Sequence, residues 1–253
     1  DPKLKLLLVA DGPRWGCPPN RTSFVFDSML RLSYFLGNYY PVGGSQAFAD
    51  ELAQRFEERG GHILMNSSVV RILSEKGRVC GVEIETGPKQ KRFTKRVRTP
   101  VVISNADLLQ TLEKMLDVDQ VDPAYMRHIR SLRPTHPCFL THIGLKDVPT
   151  KTLYDIQGYY WNEWDPNLLA QNGLKFKIFI PTLFEPKMAP EGGHVMIIQK
   201  VLDMDYYKVT DWASHKASIE RYILDNLEQL VPGIKQKMVV KLSASALTSY
   251  RFT

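Results

Sequence analysis

A chain of 253 residues, 43% apolar and 10% aromatic, can bury a full core and hold two sub-domains. No apolar run reaches the ~18 residues that a bilayer-spanning helix requires. Three scattered cysteines, Cys17, Cys80 and Cys138, exclude a disulfide framework and favour a reducing compartment. The net charge of +6 has a single source, because six basic residues and no acid lie between Pro88 and Arg98.

Leu4 to Ala10 is apolar and helical in propensity, and Asp11-Gly12-Pro13 and Gly16-Cys17-Pro18-Pro19 then break it. Phe24 to Phe35 carries Phe24, Phe26, Met29, Leu30, Leu32 and Phe35, a buried helix by default and the wall of an apolar pocket as the alternative. Gly43-Gly44 precede a helix in which Ala47, Phe48, Leu52, Ala53 and Phe56 recur at helical spacing. Ser45 is its expected N-cap, and Gly60-Gly61 supplies the left-handed residue that stops it.

Short strands are expected at His62 to Met65, Val69 to Leu73 and Val79 to Glu85, with a turn at Glu75-Lys76-Gly77-Arg78. The apolar run Val101-Val102-Ile103 delivers the chain to Ser104-Asn105-Ala106. Helices are expected over Leu108 to Leu116 and over Tyr125 to Leu132, the second stopped by Pro134 and Pro137. Four strand-like runs follow, Cys138 to Leu145, Leu153 to Trp161, Phe176 to Pro181 and His194 to Leu202, and together they predict an antiparallel sheet. The second run is rich in aromatics, so one face serves either as core or as the lining for a long apolar ligand. Thr210 or Asp211 caps a long helix, Trp212 to Leu230, which Pro232-Gly233 ends before a last strand at Met238 to Leu242. The fold class is α+β.

Few residues here announce chemistry. The six histidines include no H-E-x-x-H and no cysteine pair, so no metal site is expected. There is no G-x-S-x-G, and Ser45 is explained as a cap rather than a nucleophile. The basic run reads as a solvated hairpin tip, as a surface for anionic lipid headgroups, or, with least support, as a nucleic-acid patch; no nucleic-acid partner is expected.

The order YYPVGGSQAF, helix, GG, strand, NSSVVRI, turn, GRVCGV, basic loop and VVISNAD resembles the carotenoid desaturase, carotenoid isomerase and retinol saturase group of flavoproteins. That phytoene dehydrogenase-like group is itself similar to the amine oxidases. WGCPPNRTS upstream, and MAPEGGHVMII, LEQLVPGI and TSYRFT downstream, continue the resemblance over nearly the whole chain. It implies part of a two-domain FAD-dependent oxidoreductase: an antiparallel-sheet substrate domain with helices, plus a helix and strand segment of the FAD domain. Residues 1–42 and 107–245 then belong to the substrate domain, 43–106 to the FAD domain, and 246–253 lead back toward it.

The family's G-x-G-x-x-G and its C-terminal glycine-rich segment do not appear, so the chain is expected to be a middle region, inactive alone and holding FAD weakly. The implied reaction is desaturation, saturation or redox-neutral cis-trans isomerisation of a carotenoid or related isoprenoid. The rivals are a flavin amine or protoporphyrinogen-type oxidase, and a non-catalytic membrane or partner-binding module.

The resemblance implies cofactor contacts from the backbone of Val69, from Gly43 and Gly44 at their helix start, and from Ser104, Asn105 and Ala106. It makes Phe24, Phe26, Met29 and Tyr34 substrate-channel candidates, and the aromatic run adds Tyr159 and Trp161. No catalytic acid or base is implied, since the flavin carries the hydride chemistry. The expected location is cytoplasmic, with attachment to an anionic membrane surface through residues 89–98 as its variant.

Overall fold

The computed structural model describes residues 1–9, 22–88, 90–132, 136–161, 174–202 and 208–248. The WGCPPNR motif and Cys17, Lys89, Trp164 and the terminal SYRFT therefore lie outside the described residues, as does the side chain of Trp161. The chain divides into two compact units, one made of residues 1–52 and 135–252, the other of 53–134 together with residue 253.

The larger unit is built on an antiparallel sheet. Alternate residues of β4 (Cys138–Lys146) are buried, so Phe139, Thr141, Ile143 and Leu145 share one face. Around it lie β5 (Gly158–Trp161), β6 (Leu174–Phe179), β7 (Gly193–Val201) and β8 (Met238–Ala244), in the spatial order β5-β6-β7-β4-β8. Phe176 and Ile178 of β6 and Met196 and Ile198 of β7 extend the buried face.

Helix α7 (Trp212–Leu230) covers it. Its stripe Ile219, Ile223 and Leu227 repeats every fourth residue and is buried in the same cluster. The side chain of Asp211 accepts the Ser214 N–H and caps the helix. At the other end Gly233 takes φ +81° and the Glu228 carboxylate accepts the N–H groups of Gly233 and Lys235. Thr141, fully buried among apolar neighbours, is satisfied by the Ser243 hydroxyl at 3.2 Å.

The same unit contains the helices α1 (Pro2–Val9) and α2 (Phe24–Phe35) and the start of α3 (Gly44–Glu58). Ser23 caps α2, yet none of its residues is buried, and Phe24 and Phe35 are 84% and 87% exposed. Core packing of this segment, the default expectation, is thereby corrected. Helix α3 begins at Gly44, so Ser45 lies inside it rather than capping it. Gly60, at φ +82°, follows its last turn.

The smaller unit is a three-stranded antiparallel meander, β1 (Ser68–Glu75), β2 (Arg78–Thr86) and β3 (Phe93–Arg98). Lys76 and Gly77 join the first two strands with φ values of +49° and +74°, a turn whose twist matches that of the strands. One face carries Ile72, Val82 and Val97 in register, the other Arg71, Glu83 and Arg96.

The expected helix near Leu108 consists of a short α4 (Leu108–Gln110), capped by Asp107, that continues as a π-helical turn, Thr111–Met115. Pro123 opens α5 (Pro123–Ser131). Two strand expectations fail. His62 to Met65 is irregular, the ladder starting only at Ser68↔Glu85, and the apolar run Val101 to Ile103 also lies outside any strand. The stretch from Leu153 instead begins in α6 (Thr150–Asp155), because Leu153 and Ile156 bury one helical side before Gly158 starts β5.

Candidate functional site

Two features of the larger unit adjoin one another through Met188. The first is the glycine turn before α3. Gly43 and Gly44 have φ of +78° and +85°, a backbone region that disfavours any residue with a Cβ. The turn closes with the Gly44 N–H on the Pro41 carbonyl at 2.9 Å. This geometry points the Gly43 N–H at the carboxylate of buried Glu185, 2.8 Å away. The other carboxylate oxygen accepts the Lys187 N–H at 3.2 Å. These hydrogen bonds, that from Gly43 foremost, hold the Glu185 carboxyl below the usual carboxylate range.

Met188 packs where a Cβ on Gly44 would lie, 3.2 Å from its Sδ and Cε, and the Tyr40 hydroxyl reaches the same sulfur at 3.4 Å. The Tyr40 ring leans on Phe179 and Phe184, with centroids 5.9 and 6.2 Å away. A helix start, an acid and an aromatic cluster are thus locked into one piece.

The second feature is the sheet face opposite α7. By strand alternation it carries Tyr159, Lys177, Phe179, Ile197, Leu140, His142 and Leu242, of which Leu242 is 68% exposed. At the β8 end this surface deepens into a groove of about 520 Å³, walled by Met188, Ala189, Pro190, Val195, Val239 and Val240. Its size is that of a small-molecule site. Gly144 forms part of the floor, because a Cβ there would meet the Val240 side chain at 2.5 Å. Lys146, Glu191 and His194 bring the polar groups to the groove.

Of the expected substrate residues, Tyr159 stands on this face, with the Lys177 ammonium 5.5 Å from its ring centre. The strand position of Trp161 is described while its side chain is not. Phe24, Phe26, Met29 and Tyr34 are all on α2 in the same unit, and the first three are exposed. Gly43 and Gly44 form the turn just described.

Val69, Ser104, Asn105 and Ala106 belong to the smaller unit. Val69 lies on β1, the outer strand of the meander, opposite Ile84. The register steps from Val69↔Ile84 to Arg71↔Glu83, so Val70 bulges out of the ladder. An outer strand of this kind can offer backbone donors and acceptors to a planar heterocycle such as adenine. Ser104 shares a hydrogen bond with Thr111 at 2.8 Å, and Asn105 and Ala106 are exposed beside it.

The glycine turn fits a phosphate poorly, since its Gly43 amide already serves a carboxylate. Sequence reasoning missed Glu185, Met188, Tyr40, Gly144 and Val240. Glu185 left one legible signal, a lone acid after the apolar run Phe176 to Phe184.

The model of the family described as flavin containing amine oxidoreductase matches residues 12–248. Prolycopene isomerase 2 from an Oncidium hybrid cultivar is 29% identical over 224 residues, 87% of this chain and 37% of that protein. The neurosporene-forming phytoene desaturase of Cereibacter sphaeroides is 28% identical over 88% of this chain and 43% of its own length. The all-trans-retinol 13,14-reductase of Rattus norvegicus is 32% identical over 63% of the chain and 26% of its own length. The chain therefore spans well under half the length of the curated relatives it matches.

Among solved structures, an oxidoreductase from Methanosarcina mazei superposes with a TM-score of 0.57 at 20% identity, over 80% of this chain and 42% of that one. A Pyrococcus furiosus protein gives 0.53 at 19% identity, over 80% and 43%. These two likenesses speak to the fold.

Proposed function

Because the chain belongs to the flavin containing amine oxidoreductase family, we propose that it is the substrate-holding region of an FAD-dependent oxidoreductase acting on a carotenoid or related isoprenoid. The reaction is desaturation, saturation or redox-neutral cis-trans isomerisation, as the names of the similar isomerase, desaturase and reductase suggest. The observation that carries the reading is the open, largely apolar face of the five-stranded sheet, deepened into a groove between Met188 and Val240. A flavin amine oxidase would need a more polar pocket. Here Met188, Ala189, Pro190 and three valines outnumber Lys146, Glu191 and His194 along the groove, which favours the isoprenoid.

Flavin, when bound, exchanges the hydride with the substrate's carbon skeleton. The work left to this chain is to hold an apolar molecule flat and to keep water from it. Met188, Val195, Val239 and Val240 supply the apolar contact. Gly144 keeps the floor low enough for the Val240 side chain to lie across it. The Glu185 clamp fixes the helix start that adjoins Met188, so the groove wall rests on a rigid support.

For the cofactor, the residues that fit are on the outer edge of β1 around Val69 and Val70, which suits an adenine edge, with Ser104, Asn105 and Ala106 as further contacts. In this reading 43–106 contributes to the FAD domain, and 1–42 and 107–245 to the substrate domain. Among the described residues no helix is long and apolar enough to cross a membrane. The proposed location is cytoplasmic and peripheral to a membrane.

Titration of the purified chain with all-trans-retinol, followed by retinol fluorescence, tests the groove. Binding is expected, and Val240→Asp should weaken it at least about tenfold because it places an unpaired charge against the apolar ligand. Ile103→Asp, at an exposed position of the smaller unit, should leave binding unchanged. Equal affinity in the parent and the Val240 variant would remove this face as the site.

A further inference from the structure

The geometry points to the β2–β3 hairpin of the smaller unit as a docking surface for anionic lipid membranes. All of the chain's excess positive charge lies in residues 88–98, and the structure places residues 90–98 of that run at the end and on the outer strand of the hairpin. Two of its cations are used within the meander: Arg92 reaches Glu85 and Arg96 reaches Glu83, each at 3.0 Å. Lys91, Lys95 and Arg98 are exposed, and among the described residues no ion pair involves them.

The hairpin also positions an apolar group among these cations. Gly87 turns with φ +107°, and a Cβ on it would meet the Lys91 carbonyl oxygen at 2.7 Å and the Phe93 ring at 3.2 Å. A residue with a side chain would displace that ring. With glycine there, the Phe93 ring folds against the turn beside Lys91 and Arg92 while staying 57% exposed. The Lys91 N–H to Pro88 carbonyl bond, 2.8 Å long, closes the turn.

An exposed aromatic ring next to Lys91, with Lys95 two residues along the same strand and Arg98 at its far end, suits an anionic bilayer surface. The ammonium and guanidinium groups sit among headgroup phosphates and carboxylates, and the ring enters the acyl boundary. A nucleic acid is the poorer fit, since strand-binding sheets present several stacking rings along a groove and this hairpin presents one at a turn. The preference for lipid also rests on the proposed isoprenoid substrate, which partitions into bilayers. The salt-sensitive part of the contact follows from the charge alone.

Co-sedimentation of the purified chain with phosphatidylcholine vesicles, with and without phosphatidylserine, tests this in the absence of flavin and isoprenoid. Binding should require phosphatidylserine and weaken as salt rises. Changing Lys91, Lys95 and Arg98 together to Gln should weaken it about a hundredfold, roughly fivefold per cation. Changing the paired Arg92 and Arg96 to Gln should weaken it less. Phe93→Ser should lower binding by the same factor at low and high salt. Circular dichroism of each variant should match the parent, because every altered side chain is exposed.

Equal binding to neutral vesicles, undiminished binding of the triple variant, or preferential capture of single-stranded DNA at the same salt would each overturn the proposal. The retinol titration reads a different unit, so either result can fail alone.

Discussion

At Gly43 and Gly44 two successive residues occupy left-handed backbone, and each does a separate task. The first aims its N–H at Glu185, and the second leaves room for Met188. Gly44→Ala should cost about 1–3 kcal/mol of stability from backbone strain and crowding of Met188, read as a lowered denaturant midpoint with an unchanged slope. Glu185 lends itself to a pH test. Its folded-state carboxyl titrates below the ordinary range, so its contribution is fully present above the ordinary carboxyl pKa and is lost as pH falls through the depressed one. Glu185→Gln should therefore lower stability at neutral pH and flatten the fall in stability on acidification, measured by denaturation across the acid range. An equally steep acid fall in the variant would place the titrating group elsewhere. The glycine pair was legible in the sequence as a turn. The acid it serves was not, because the two lie 142 residues apart and only the fold joins them.

Helix α7 and its strands show which elements a sequence can reveal. Ile219, Ile223 and Leu227 repeat with the helical period and bury together, and Asp211 was foreseeable as a cap. Leu227→Ala should cost about 2–5 kcal/mol as a cavity opens under the sheet, measured by thermal or chemical denaturation. The segment from Leu153 was harder to read. Leu153 and the C-cap residue Ile156, three apart, suit a short helix as well as a strand end, and a neighbouring aromatic run biases the choice toward strand. At His62 to Met65 and Val101 to Ile103 the side chains have strand character, yet neither run joins a ladder. β-propensity describes a fit to a half-buried pleated surface, and without a paired strand that surface does not exist. Helix α2 misled in the opposite sense: its apolar residues suggested core, whereas all of them remain at least partly exposed.

Across the molecule burial is uneven. The contiguous core, from Phe139 to Ala246, belongs entirely to the larger unit, while Ile72, Ile84 and Ile129 are the buried apolar residues of the smaller one among those described. Amides of β4 and β7 should thus be the slowest to exchange with deuterium and those of β1 and β3 markedly faster. Equal protection of both sheets by mass spectrometry would show that burial does not set their stabilities. The antiparallel sheet and the mixed α+β class were readable from the runs of strand residues, but the order β5-β6-β7-β4-β8 was not, since it depends on which strands meet rather than on any one of them. The chain leaves the larger unit after residue 52 and re-enters it at 135. During synthesis the intervening meander, complete by Arg98, can begin pairing while the ribosome still holds the rest. The clamp on Gly43 must wait for Glu185, and the sheet for β8, so the glycine turn stays unanchored until 142 further residues have been made and closes over a long loop.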